Sequence, residues 1–246
     1  MNASEYKKEI AKLFERWESK PAKGKINHSD RFIKDGVICP EKWFSQKIRP
    51  LFFFKEAYTQ TGENSMKDLV EGHLKIDKPI DKMWQRVSTW TRSLMEMAET
   101  GEIPPFKKPD RITRYGNPYL NQIAVMNIKK SSGEKTSNEE NLNLYAEYDA
   151  EEIYNQLVLC DPNIIICGYT GRFVIELLDK KCQYKETVTP FDSDHFLYKY
   201  EFNSHKLAVI CYWHPANHYP DFLNYYGLMH ILHHIIAEDT LEDAPM

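Results

Sequence analysis

The sequence predicts an α/β fold, a three-layer α/β/α sandwich around a central four-stranded parallel sheet, with an extra helix at the amino terminus. Two observations lead to this prediction. Four short and almost wholly apolar runs are spread over the 246-residue chain, and segments with helical spacing separate them. Apolar runs of this length are typical of strands buried on both faces. Their alternation with helices is typical of a parallel sheet with right-handed crossovers.

The amino-terminal segment is predicted to be a helix, because Ile10, Leu13, Phe14 and Trp17 recur at helical spacing among lysines and glutamates. It lacks the apolar core of a signal peptide. No apolar run in the chain approaches the roughly 18 residues of a membrane-spanning helix, so we expect no membrane partner. Residues 1–46 are interpreted as a helical extension of one domain that covers residues 1–246.

The predicted strands are residues 47–54, 122–128, 163–167 and 207–212. The helical patterns that follow them cover residues 80–98, 150–158, 173–178 and 222–236. In a parallel sheet the carboxyl ends of the strands lie at one edge, and ligands bind in the crevice outside it. Polar residues follow all four runs and are expected to converge there. They are Glu56, Tyr58, Asn127, Gly168, Tyr169, His214 and Asn217.

Composition excludes several classes of protein. The formal net charge of −4 is not that of a protein that coats nucleic acid non-specifically, so any such contact is local. The five cysteines are odd in number and never form a C-x-x-C pair, which indicates reduced thiols and a cytoplasmic location. Their spacing predicts no metal site. The Gly-Tyr-Thr-Gly segment at 168–171 is too short for a dinucleotide fingerprint, and no cofactor is expected.

Four short motifs end the predicted strands. Glu56 and Ala57 lie in Lys-Glu-Ala-Tyr-Thr at 55–59, and Asn-Ile-Lys-Lys occupies 127–130. A proline, an apolar run and a glycine span 162–168, and His-Pro-Ala lies at 214–216. In this order the motifs resemble those of the uracil-DNA glycosylase superfamily, and they are nearest to its iron–sulfur branch. The resemblance covers roughly residue 48 to the carboxyl terminus and implies a single uracil-DNA glycosylase-like domain.

The chain also departs from that pattern. Lys55 and Thr59 replace the glycines that flank the acidic motif of the family, and Ala216 replaces the serine after His-Pro. Ser131 and Ser132 follow the lysines where the iron–sulfur branch has a cysteine. An iron–sulfur cluster is therefore not expected.

The resemblance implies a hydrolase that cleaves the N-glycosidic bond of uracil or another modified base in DNA. Such a reaction needs a carboxylate that positions water and a donor to the oxygen of the departing base, and these roles are expected for Glu56 and His214. Asn127 is expected to read the base edge and Tyr58 to stack on the base. The other expected substrate contacts are Ala57, Gly168, Tyr169 and Asn217. Phosphate contacts are expected from Lys129, Lys130, Ser131 and Ser132, or from the basic segment 107–114.

Other interpretations remain open. The protein could be a non-catalytic module of the same fold that binds a nucleotide, a nucleic acid or another protein, or it could hydrolyse free nucleotides. Glu56 could merely cap a helix, and Asn127 could be a structural asparagine. An enzyme requires Glu56, Asn127 and His214 to face one shared pocket.

Overall fold

The computed structural model describes residues 1–28, 32–57, 81–108, 118–133, 136–188 and 197–237. Within these ranges the chain forms one seven-stranded mixed sheet with helices packed on it. The strands are β1 (Gly36–Val37), β2 (Pro50–Glu56), β3 (Ala124–Lys129), β4 (Ile164–Gly168), β5 (Gln183–Val188), β6 (Leu197–Phe202) and β7 (His205–Tyr212). The helices are α1 (Ala3–Glu18), α2 (Pro40–Trp43), α3 (Lys82–Thr100), α4 (Glu139–Tyr148), α5 (Ala150–Cys160), α6 (Gly171–Lys181) and α7 (Asp221–Ala237), with a 3₁₀ turn at Pro118–Gln122.

The four predicted strands are confirmed as parallel neighbours, in the order β3, β2, β4 and β7. Phe52 of β2 lies opposite Val125 of β3 and Ile166 of β4, and all three are buried. The chain runs from β2 to β3 on one side and then crosses to β4 on the other side of β2. The strand order therefore reverses between β2 and β4, which is the switch point where open α/β sheets bind ligands.

The prediction that the sheet has four strands is wrong, because three further antiparallel strands extend the sheet at its edges. β1 pairs with β3 at one edge, while β6 pairs with β7 and β5 with β6 at the other. β1 has only two residues, and β5 is exposed along nearly its whole length. β6 mixes buried Leu197 and Tyr200 with the more exposed Lys199 and Glu201. Edge strands of this kind lack the continuous apolar run by which a central strand is recognised.

The helices cover both faces of the sheet. Alternation along β2 directs Phe52 and Phe54 toward the core shared with α3 and α7. It directs Leu51 and Phe53 toward the core shared with α1, α5 and α6. The predicted helical extension is helical only in part, because residues 1–46 also contribute β1 to the sheet. Across the described ranges, no helix has the length and apolar content needed to cross a membrane.

Candidate functional site

His214 lies at the switch point, beyond the carboxyl ends of β2 and β4. The centroid of its ring is 5.0 Å from that of Phe54, the last apolar residue of β2. A Cβ added to Gly168, at the end of β4, would lie 2.9 Å from the Phe54 ring and 3.1 Å from Cδ2 of His214. Any larger residue than glycine at 168 would therefore displace one of the two rings.

The imidazole of His214 is held as a neutral hydrogen-bond donor. The backbone N–H of Ala216 donates to Nδ1 at 3.1 Å, so in the neutral ring the proton resides on Nε2. Burial, together with the smaller effect of the positive charge of Lys55, lowers the pKa of His214 from 6.5 to about 4. Near pH 7 this side chain therefore offers an uncharged N–H for a ligand.

Arg86 on α3 fixes the loop that carries His214. Its buried guanidinium donates to three backbone oxygens of that loop, those of Pro215, Asn217 and Tyr219, at 2.7–2.8 Å. It also donates from Nε to Asp221 at 2.7 Å. A planar guanidinium can serve several acceptors at fixed angles, which a lysine cannot. Arg86 could not be predicted from the sequence, because a single arginine on an amphipathic helix carries no signal of its distant partners.

Asn217 holds the same loop from within. Its Nδ2 donates to the His214 oxygen at 2.7 Å and to Oδ1 of Asn224 at 2.6 Å. Its Oδ1 accepts the N–H of Tyr219 at 2.8 Å and Nδ2 of Asn224 at 3.1 Å. The carboxamide is thus engaged within the protein, and this position favours a structural role over the expected substrate contact.

Glu56, at the end of β2, forms an ion pair with Lys129, its neighbour on β3. Oε2 lies 3.1 Å from Nζ, and the side chains are only 5% and 12% exposed, respectively. Gly133 packs directly on the glutamate, and its N–H donates to the oxygen of Ala57 at 2.9 Å. The loop after β3 therefore covers the carboxylate that was expected to position water. The backbone oxygen of Ala57 holds this loop by accepting the hydrogen bond from Gly133.

The phosphate contacts expected after β3 are only partly compatible with the structure. Lys130 is fully buried and its ammonium binds Asp35 at 2.6 Å, while buried Ser131 donates to the hydroxyl of Tyr145 at 2.9 Å. These positions favour structural roles for both residues. Ser132 is half-buried.

Asn127 also contacts Asp35. Its backbone N–H and its Nδ2 donate to the same carboxylate oxygen, at 2.8 and 3.0 Å. Asn127 is the register partner of Phe54, so the two side chains share one face of the sheet. Asp35 gave no signal in the sequence, since it lies in the predicted amino-terminal extension, away from every predicted strand end.

Tyr169 follows Gly168 with a left-handed backbone, φ 59°, which L residues seldom adopt. Its N–H donates to the oxygen of Tyr212 at 3.0 Å, and the residue is 52% exposed. Burial raises its pKa, and nearby Tyr219 raises it further. Backbone strain of this kind clusters at active sites and ligand clamps. Tyr58 lies outside the described residues.

The carboxyl edge thus carries residues from β2, β4 and the loop after β7, namely Glu56, Gly168, Tyr169 and His214. Asn127 lies within β3, level with Phe54, and is buried. Within the described part of the chain, no group of three or more histidine, cysteine, aspartate or glutamate side chains is placed to hold a metal ion. No protein-family model matches the chain. Curated proteins offer no match either.

Proposed function

We propose that this protein hydrolyses the N-glycosidic bond of a uracil-like or otherwise modified base in DNA. The observation that carries the proposal is the neutral His214 at the switch point, with its Nδ1 occupied and its Nε2–H free to donate. When the bond between base and sugar breaks, negative charge develops on the departing base. A preorganised donor aimed at the base oxygen stabilises that charge more in the transition state than in the substrate.

In the proposed reaction, the bond between C1′ and the base nitrogen breaks, and water adds to C1′. The base leaves with the electron pair and acquires a proton, while the sugar passes through a cationic transition state. Glu56 supports this step by placing a negative charge at the carboxyl end of β2. Because Lys129 binds Glu56, we propose that the carboxylate balances the sugar cation or orients water once substrate draws the lysine toward a phosphate.

The second candidate is a module that binds a flipped base without hydrolysis. The Glu56–Lys129 ion pair favours it, because a carboxylate that is 5% exposed and already paired is poorly accessible to water. The two candidates agree on the base contacts and differ in the role of Glu56.

A base-release assay tests the proposal. Oligonucleotides with a single uracil, hypoxanthine, xanthine or alkylated base, and the matching free nucleotides, are incubated with wild-type protein, His214→Ala and His218→Ala. His218 is the matched control, since it lies exposed in the same loop. We expect release from at least one oligonucleotide, a loss of ~10²–10³-fold in single-turnover rate for His214→Ala, and a wild-type rate for His218→Ala.

The same panel distinguishes the alternatives. Binding of a modified oligonucleotide without release supports the binding module. Release from free nucleotides alone supports a nucleotide hydrolase. Equal rates for wild-type protein and His214→Ala contradict the assigned role of the histidine.

A further inference from the structure

Asp35 lies just before β1 and accepts four hydrogen bonds with its carboxylate. Oδ2 accepts the backbone N–H and Nδ2 of Asn127, at 2.8 and 3.0 Å. Oδ1 accepts Nζ of Lys130 at 2.6 Å and Nε2 of Gln156 at 2.8 Å. All four partners donate, so both carboxylate oxygens act as acceptors and neither is free to reorient.

This carboxylate fixes the orientation of the Asn127 amide. An amide alone can turn over and exchange its donor for its acceptor. Here, turning it over would bring Oδ1 of Asn127 to the place of Nδ2, about 3 Å from the Asp35 carboxylate, where two acceptors repel each other. Oδ1 and the second Nδ2–H of the amide therefore keep one fixed orientation on the sheet face that Asn127 shares with Phe54, where the residue is 3% exposed.

We infer that Asp35 is a positioning residue that sets base specificity through Asn127; this inference rests on the proposed function and adds to it. Uracil presents a ring N–H beside a carbonyl oxygen, and these groups pair with Oδ1 and Nδ2–H of the fixed amide. Cytosine presents an acceptor and an amino group in the opposite order. It would need the amide in the orientation that Asp35 forbids, so a base with an adjacent N–H and carbonyl is selected.

The test measures single-turnover release and equilibrium binding for two oligonucleotides that differ only in a uracil or a cytosine at one position. The variants are Asp35→Asn, Lys130→Met and the double variant D35N/K130M. Asp35→Asn offers Asn127 either a donor or an acceptor, which permits both amide orientations. It also leaves Lys130 buried and unpaired, so the double variant, which removes both charges, is the form expected to fold well.

Lys130→Met is the matched control, because it breaks the same buried ion pair but keeps the Asp35 oxygens that accept from Asn127. We expect D35N/K130M to lower the uracil-to-cytosine ratio of single-turnover release rates at least about tenfold, and Lys130→Met to keep the wild-type ratio. A purely structural Asp35 would lower stability in these variants without changing the ratio.

Two failures are distinguishable. If wild-type protein neither binds nor releases a base from any oligonucleotide of the base-release panel, the proposed function fails and this inference fails with it. If wild-type protein prefers uracil and folded D35N/K130M shows the same preference, only the role of Asp35 is overturned.

Discussion

The rings of His214 and Phe54 meet across the ends of two strands, with their centroids 5.0 Å apart. Phe54 belongs to the apolar core of the sheet, whereas His214 is the first polar residue beyond it on the β7 side. The contact places the imidazole where burial removes water from one side of the ring. This is why the structure holds the histidine neutral and at a fixed angle.

The lowered pKa of His214 predicts a specific acid sensitivity. Its pKa is about 4 in the folded protein against an ordinary 6.5, so the unfolded chain binds more protons between these values. The free energy of unfolding should therefore fall as the pH drops from about 6.5 to 4. His214→Gln lacks this group and should show a weaker fall. Urea unfolding of both proteins at about pH 7.5, 5.5 and 4.5 measures the difference. Parallel curves would contradict the assignment.

Arg86 should contribute far more to stability than its neighbour Lys82, although both contact Asp221. The Arg86 side chain is 5% exposed and holds three backbone oxygens, whereas that of Lys82 is 64% exposed and lies 3.7 Å from the carboxylate. We expect Arg86→Met to lower the free energy of unfolding by about 3 kcal/mol and Lys82→Met by less than about 0.5 kcal/mol. Chemical denaturation measures both losses of stability. Similar losses would contradict the role of Arg86 in fixing the loop that carries His214.

The hydrogen bonds from Arg86 to the loop that carries His214 also predict an effect on activity. Arg86→Lys keeps the charge but cannot reach all of the carbonyls at once. In folded protein at low temperature, we expect the single-turnover rate to fall while DNA affinity changes little, because His214 is displaced from the base oxygen. A wild-type rate for Arg86→Lys would separate the loop from catalysis.

Both Gly168 and Gly101 should be destabilised by a side chain, but for different reasons. At 168 a Cβ would meet Phe54 and His214 at about 3 Å, whereas at 101 it would meet nothing within 4 Å, and the constraint there is a φ of 73°. We expect Gly168→Ala to cost about 1–3 kcal/mol and to impair base release. Gly101→Ala should cost about 1 kcal/mol through backbone strain alone and leave base release intact. Thermal unfolding and the release assay check both.

The parallel core could be predicted because its strands are buried on both faces, and the residues after them had to meet at one edge. Glu56, Gly168 and His214 were found in this way. The partners that control them were not, since Asp35 and Arg86 act through contacts made between segments far apart in the chain. Charge type alone also misleads. Lys130 was expected to bind phosphate, yet it is enclosed with a carboxylate.

We expect the backbone of Tyr169 to lower the stability of the protein while its ring contributes to ligand binding. Two substitutions separate these effects. Its φ of 59° costs an L residue about 1 kcal/mol, while the residue is 52% exposed beside the crevice. Tyr169→Gly and Tyr169→Ala both remove the ring, but only glycine also relieves the backbone. We expect the glycine variant to be about 1 kcal/mol more stable than the alanine variant to urea.

If the ring of Tyr169 stacks on a base, both substitutions should weaken oligonucleotide binding alike, by about tenfold, and Tyr169→Phe should retain the wild-type affinity. Ser204→Gly is the control for strain alone, because Ser204 has a φ of 67° in the turn between β6 and β7, at the amino end of β7 and so away from the carboxyl edge. Its affinity should equal that of wild-type protein. Binding measured by fluorescence anisotropy decides the matter. Unchanged affinity in both Tyr169→Gly and Tyr169→Ala would show that the ring does not contact the oligonucleotide.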